Sequence, residues 1–209
     1  MARPIDHEKR RELARAAVLV LQREGVDVSM AALADALDVK RPTLLYHFPT
    51  KAHLVEEALV ELLVEQAAFV LAAVEEHEHP IDRLYVHLAA VHAFHAGNEA
   101  RVVFLTQAIA ATAGARLGEI LEAGSRVFEA HRQDTVTRLR RGIREGLVAP
   151  CDVDALFATV RALVDGLMVQ RVMSGVRLEP VHSLIWERLL APLRLEREGL
   201  PKPDRLSNA

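Results

Sequence analysis

Apolar residues recur at spacings of three and four along almost the whole chain, and nowhere do apolar and polar residues alternate between paired turn signals. A period near 3.6 lays one apolar stripe along a helix, whereas a strand needs a period of two, so the pattern selects helices over a sheet. Ala, Leu, Arg and Glu dominate the composition, and all four are strong helix formers. With 51% hydrophobic residues among 209, the apolar mass is ample for a buried core, which excludes a disordered tail or a small scaffold that needs staples. At about 100 to 200 residues per domain, the length permits one large domain or a small one followed by a larger one, and the helix-turn-helix spacing and charge distribution below favour the second. The expected fold class is all-α.

Caps and breakers divide the pattern into about nine helices. Asp6 suits the N-cap of a first helix over 7–24, with Leu13, Ala17, Val20 and Leu21 on one face and Gly25 at its end. Ser29 caps a short helix from Met30 to Leu37, with Ala34 and Leu37 turned inward. Pro42 fits the first turn of a third helix, because its missing N–H has no acceptor there, and Pro49 ends that helix. A long helix follows from Lys51 to Glu76, then a polar break at 77–80 in which His77 and His79 are expected to face solvent. Helices are expected next over Ile81–Ala96, closed by Gly97 and Asn98, and over 100–113, with Gly114 and Gly118 at the exit of the latter. The stretch over 100–113 is nearly free of charge, so it is expected at the centre of the second domain. An amphipathic helix over 119–146 carries Arg138, Arg140, Arg141 and Arg144 near its C-terminal end, where cations favour the helix dipole, and Gly146 closes it. Asp152 caps a helix to Ser174, and Glu179–Leu195 supplies the last one before the Pro-rich tail at 201–203.

The formal charge of −3 gives no whole-chain positive field, so any nucleic-acid site must be local. Residues 1–51 hold nine Lys or Arg against seven Asp or Glu, whereas the remainder holds 17 against 22, so the basic excess lies in the N-terminal part. The longest stretch without charge or His, Val102 to Ala115, is shorter than the roughly 20 residues that span a bilayer. No secretory signal pattern opens the chain, and the single cysteine, Cys151, excludes an intramolecular disulfide. These features predict a soluble, cytoplasmic protein with no membrane partner.

Ala34, Asp38, Val39 and Leu44 have the spacing of a helix-turn-helix, in which a small residue permits close crossing and two apolar residues lock the second helix across the first. A plain three-helix packing unit has the same spacing, and the chemistry at the turn favours DNA. Lys40, Arg41 and Thr43, with Pro42 between them, open the second helix of the pair, where side chains reach base edges. Tyr46, His47 and Lys51 follow as phosphate donors.

Val39 to Lys51, reading V-K-R-P-T-L-L-Y-H-F-P-T-K, resembles the recognition-helix signature of the TetR/AcrR family of bacterial transcriptional regulators. The resemblance covers about residues 7–62 in register, including Gly25, Ser29, Thr43, Leu44, Phe48, Pro49 and Lys51. It implies a helix-turn-helix DNA-binding domain at 1–52 and a helical effector-binding and dimerisation domain at 53–209. It further implies a homodimeric repressor that leaves a palindromic double-stranded operator when a small effector binds. Carried over by position, Ser29 resembles a capping hydroxyl that also touches phosphate, Lys40 and Arg41 the base readers, and Thr43, Tyr46, His47 and Lys51 the backbone clamp. Leu45 stands where the family usually has tyrosine, and Asp38 stands at a common glycine, a position where Asp tolerates a left-handed conformation better than most residues.

In the second domain His77, His79, His87, His92 and His95 crowd together. His95 shares a stripe with Leu84, Leu88 and Val91 and should face inward. No HExxH or spaced acidic partner accompanies His92 and His95, so hydrogen-bonded interior histidines are expected rather than a metal, and no cofactor is expected. His92, Phe94, His95, Phe104, Gln107 and Met168, with Thr106 and Thr112 nearby, are the candidate lining of a mainly apolar effector site, and core packing explains the aromatic and Met residues equally well. Leu163, Gly166, Leu167, Ile185 and Leu189 belong to a broad apolar surface on the last two helices that suits a dimer interface. No Ser elbow, Cys-His pair, phosphate loop or carboxylate pair marks an enzyme, so none is expected. A hydrolase using the histidines and a helical scaffold binding a protein through its last helices are the rival classes.

Overall fold

The computed structural model describes residues 6–112 and 117–196, with side chains described outside 112–128 and 130. Gly114, the side chain of Thr112 and the Pro-rich tail at 201–203 lie outside what is described. The elements are α1 (His7–Glu24), α2 (Met30–Ala36), α3 (Arg41–His47), α4 (Lys51–Glu75), α5 (Pro80–His95), α6 (Glu99–Thr112), α7 (Leu117–Arg144), α8 (Val153–Ser174) and α9 (Leu178–Ile185). A π turn at Trp186–Leu190 and a 3-10 turn at Ala191–Leu193 follow. The expected boundaries hold to within a few residues except at this end, where one helix to Leu195 was expected. Pro192 has no N–H and its ring crowds the carbonyl one turn back, so the last turns open rather than continue as α-helix.

The chain forms two compact units, Met1–Ala67 with Gly97–Phe128 and Ala68–Ala96 with Glu129–Ala209. The first unit contains α1–α3, the start of α4, and α6. Within it α1 packs on α2 and α6, and α2 packs on α3. Asp6 Oδ1 accepts the Lys9 N–H at 3.0 Å and Ser29 Oγ accepts the Ala32 N–H at 3.1 Å, so both sequence-derived N-caps are formed. Leu13, Ala17, Leu21, Leu33, Ala34, Leu44 and Phe48 are buried, and the Val39 N–H reaches Ala34 O at 3.0 Å across the turn.

The first unit is also tied by charge. Glu61 of α4, 7% exposed, accepts Arg11 Nε at 2.8 Å and Arg15 Nε at 2.6 Å, one guanidinium on each carboxylate oxygen. Arg10 donates to Glu57 Oε2 at 3.0 Å and lies over the Phe48 ring at 5.2 Å. Three successive basic positions on one face of α1 are thereby committed to α4.

The second unit centres on α5, which packs on α8 and against the π turn. Twelve of its sixteen residues are buried. The charge-free stretch expected at the centre was α6, but Val103 and Ile109 of α6 are 38% and 47% exposed, and that helix belongs to the first unit. Absence of charge does not by itself bury a helix; α5 goes inside with a mostly apolar surface, and several of the polar groups at it find partners there. Asp82 accepts Arg194 Nε at 2.9 Å in a largely buried pair. His79, expected in solvent, is 8% exposed: its Nδ1 accepts the Ile81 N–H at 3.1 Å as the N-cap, and its Nε2–H donates to Leu147 O at 3.0 Å. Leu147 O also accepts the Leu195 N–H at 2.9 Å, which draws the end of the described chain onto the same turn. Gly142 permits this closeness, since a Cβ there would meet Val148 Cγ2 at 2.7 Å and Pro80 Cγ at 3.2 Å.

Burial pushes the Glu61 carboxyl up, but its hydrogen bonds to Arg11 and Arg15 outweigh burial and hold it below its ordinary value of 4.5. Its contribution is complete above that ordinary value and is lost as pH falls through the depressed one. Glu61→Gln is expected to lower stability at pH 7 by about 1–2 kcal/mol in denaturant unfolding, the worth of charge-assisted bonds from exposed arginines. An unchanged midpoint would show that the pair does not hold α1 to α4.

Candidate nucleic-acid interface

α3 has two faces of opposite character. Leu44, His47 and the following Phe48 are buried, whereas Lys40, Arg41, Pro42, Thr43 and Tyr46 are exposed and Lys51 opens α4 half-buried. Lys40, Arg41 and Lys51 form no ion pair with any described residue, in contrast to Arg10, Arg11 and Arg15 on α1. A cluster of cations with no acid beside it projects an uncompensated field that fits phosphate oxygens and guanine edges. Ser29 Oγ accepts its capping bond yet keeps a hydroxyl proton to donate outward. Seven of the eight expected DNA residues thus lie on accessible surface.

His47 departs from the expectation. It follows Leu44 by three positions, which puts it on the inward face, and it is 5% exposed with its ring edge-on to Tyr46 at 5.2 Å. A phosphate contact from its ring needs that burial undone; of the residues expected on phosphate, Ser29, Thr43 and Tyr46 are exposed and Lys51 is half-buried. Thr50 was not singled out beforehand: its Oγ1 lies 2.7 Å from His53 Nδ1 and accepts the His53 N–H at 3.3 Å. It caps α4 and so sets Lys51 in the first turn; the Thr-x-x-His spacing at 50–53 was the available signal. Asp38 takes φ 52°, the one left-handed non-glycine among the described residues, as its place at a common glycine position suggested.

In the second unit the imidazoles divide between the two sides of α5. His92 donates from Nε2 to Val164 O at 2.9 Å, which leaves its Nδ1 to accept from His182 Nε2 at 2.7 Å, so it ties α5 to α8 and α9 as the interior hydrogen-bonded histidine expected. Both of its nitrogens are committed within the protein. His87, not proposed for any site, is buried and stacked on His131 with centroids 4.5 Å apart. Phe94 lies edge-on to His95 at 5.0 Å and tilted to Phe69 at 5.7 Å. Met168 is half-buried against the second-unit core, whereas Phe104 and Gln107 belong to the first unit, where Gln107 Oε1 lies 3.7 Å from the Cβ position of Gly25. Of the five dimer candidates, Ile185 is core, at 7% exposed, because it falls on the inward stripe of α9. Leu163, Leu167 and Leu189 are half-buried and Gly166 is exposed with open space above it; Met173 and Leu184, at 78% and 58% exposed, join them on the outer surface. Among the described residues no group of three His, Cys, Asp or Glu could hold a metal ion, and no helix is long and apolar enough to cross a membrane.

An all-α chain with an N-terminal helix-turn-helix and a larger helical second part has the architecture of a DNA-binding transcriptional regulator. Residues 13–58 match the family described as bacterial regulatory proteins, tetR family. No curated protein matches the chain. Among solved structures it is similar to a putative transcriptional regulator from Saccharomonospora viridis in complex with choline, with 20% identity over 88% of this chain and 98% of that one and a TM-score of 0.72. It is also similar to the ketosteroid transcriptional regulator KstR2 of Mycobacterium tuberculosis, with 22% identity, 90% and 96% coverage and a TM-score of 0.62. AibR in complex with isovaleryl coenzyme A and operator DNA matches at 17% identity, with 77% and 85% coverage and a TM-score of 0.57. At these identities the structures attest the fold, and the match to the tetR family lies in residues 13–58, the helix-turn-helix head.

Two outcomes follow from the site geometry. Asp38→Gly should be neutral or slightly stabilising in thermal unfolding, whereas Asp38→Val should cost about 1–2 kcal/mol, because a β-branched residue resists positive φ; equal effects would show that the turn relaxes. Burial holds His182 down to about 4 and His87 down to about 3, against an ordinary value of 6.5. The unfolded chain therefore binds more protons as pH falls below about 6.5, and stability should decline from there toward pH 4 by at least about 1 kcal/mol after allowance for solvent. Denaturant midpoints at pH 7.5, 5.5 and 4.5 measure this, and His182→Phe should flatten the slope.

Proposed function

We propose that the chain is a ligand-responsive, DNA-binding homodimer, a repressor released from a palindromic operator by a small, mainly apolar effector. The observation that carries the reading is the set of unpaired cations at Lys40 and Arg41, which open α3, and Lys51, which opens α4, with the opposite face of α3 buried through Leu44 and His47. Arg41 and Lys40 read base edges, while Ser29, Thr43, Tyr46 and Lys51 hold phosphates. The structure of AibR with both a coenzyme A thioester and operator DNA supports the pairing of effector and operator on this fold. Choline, isovaleryl coenzyme A and the ketosteroid regulation in KstR2's description are chemically unlike, so the fold does not choose the effector.

Two copies meet through Leu163, Gly166, Leu167 and Leu189 with Met173 and Leu184, where Gly166 allows close helix approach. Their heads must then present successive major-groove faces about 34–36 Å apart. α4 contributes residues to both units, which supports a route by which an effector in the second unit alters that spacing. A coupling of about 1–3 kcal/mol would change operator affinity 5- to 150-fold, and operator would weaken effector binding by the same factor.

Selection from random duplex DNA should enrich a palindrome bound with a steep salt dependence. Arg41→Ala should relax specificity at one position of each half-site by about 1–3 kcal/mol, and Lys51→Ala should weaken all sequences alike and reduce the salt slope by about 1. An unchanged preference with Arg41→Ala, or no enrichment from the pool, would overturn the assignment.

A further inference from the structure

His87 is a buried imidazole with neither ring nitrogen hydrogen-bonded to a described residue, and its Nδ1 is wholly enclosed. Native interiors rarely leave such a group without a partner unless something outside the polypeptide supplies it. By contrast His79 caps α5 and His92 bridges it to α8 and α9. His87 stacks on the nearly parallel ring of His131 on α7, which itself lies 3.5 Å from Thr135 Oγ1. The charged and titratable groups acting on His87 are His131, His92 and Arg161, which pairs with Asp165 at 2.9 Å, and those acting on His131 are Asp134, Arg83 and Arg161. Burial lowers both His87 and His131, so each neutral ring has one N–H to offer an acceptor.

The same face of α5 leads to apolar surface. Phe94 follows His87 by seven positions, nearly two helical turns, so the two share a stripe about 10 Å apart along the axis. Phe94 meets Phe69 of α4, which is 47% exposed although it belongs to an aromatic cluster. An enclosed polar end and an aromatic end, both within the second unit, match the division of labour in small-molecule sites, where few polar groups orient and apolar walls hold.

We propose that the His87–His131 pair is the polar anchor of the effector site, and that the effector is a carboxylate whose apolar tail lies along Phe94 and Phe69. The inference rests on the effector-binding reading above and names its chemistry. The carboxylate oxygens accept from an N–H of each ring, and one ring takes a proton from solvent on binding, so the anion and the imidazolium form together. His92, the sequence-derived candidate, has no free nitrogen to serve.

Octanoate, octanamide and octylamine share a tail and differ at the head, and their binding to the full chain is measured by calorimetry. Octanoate should bind at least tenfold tighter than either analogue, tighten several-fold from pH 8 to pH 6, and take up protons in buffers of different ionisation enthalpy. His87→Gln and, independently, His131→Phe should each weaken octanoate at least tenfold with the helical circular-dichroism signal intact. Equal affinity for the three heads, no octanoate binding, or octanoate binding unchanged in the folded variants would overturn the proposal. Octanoate binding that leaves operator affinity unaltered would overturn the regulatory reading and leave the anchor standing. Operator release by another molecule, insensitive to both substitutions, would do the reverse.

Discussion

The double salt bridge from Arg11 and Arg15 to Glu61, with Arg10 on Glu57 and Phe48, is the constraint on which the head depends. A carboxylate with so little exposure needs both its oxygens satisfied, and two guanidinium groups from one turn of α1 supply them. This decides what the basic residues of the N-terminal part are for. On α1, Arg10, Arg11 and Arg15 are consumed in holding α4, while Lys40, Arg41 and Lys51 are left without an ion pair to a described residue. A count of charges over 1–51 treats both sets alike; only the pairing separates the structural cations from the ones available to DNA.

A comparable division governs α5. A helix so deeply buried carries three histidines, His87, His92 and His95, and burial keeps the His87 and His92 rings neutral. On one side His92, Val164 and His182 join three helices through a chain whose tautomers are set by a carbonyl that can only accept. On the other, His87 and His131 stack without such a chain.

Much of the local architecture was legible in advance because it is written in nearest-neighbour chemistry. Asp6, Ser29 and Asp152 each accept from the N–H three residues on, Gly25 and Gly175 end their helices at positive φ, and Asp38 takes the left-handed turn. Such features depend on a few adjacent dihedrals and one side chain. The inward face of α3 was equally readable from the spacing of Leu44, although the same spacing applied to His47 would have turned it inward too.

By itself the sequence determined the all-α class, the helix boundaries, the helix-turn-helix and the accessible cations on it, since periodicity, caps and turns are local and their energetics do not wait on distant partners. Tertiary structure alone decided that α5 rather than the charge-free α6 is the buried helix, that His79 is a cap and not a solvent group, and that Ile185 is core. It also decided that His92 is spent on Val164 and His182 while His87 is not bonded at all. A polar side chain's role follows from which groups, tens of residues away in sequence, come within about 3 Å of it, and no spacing along one helix encodes that distance.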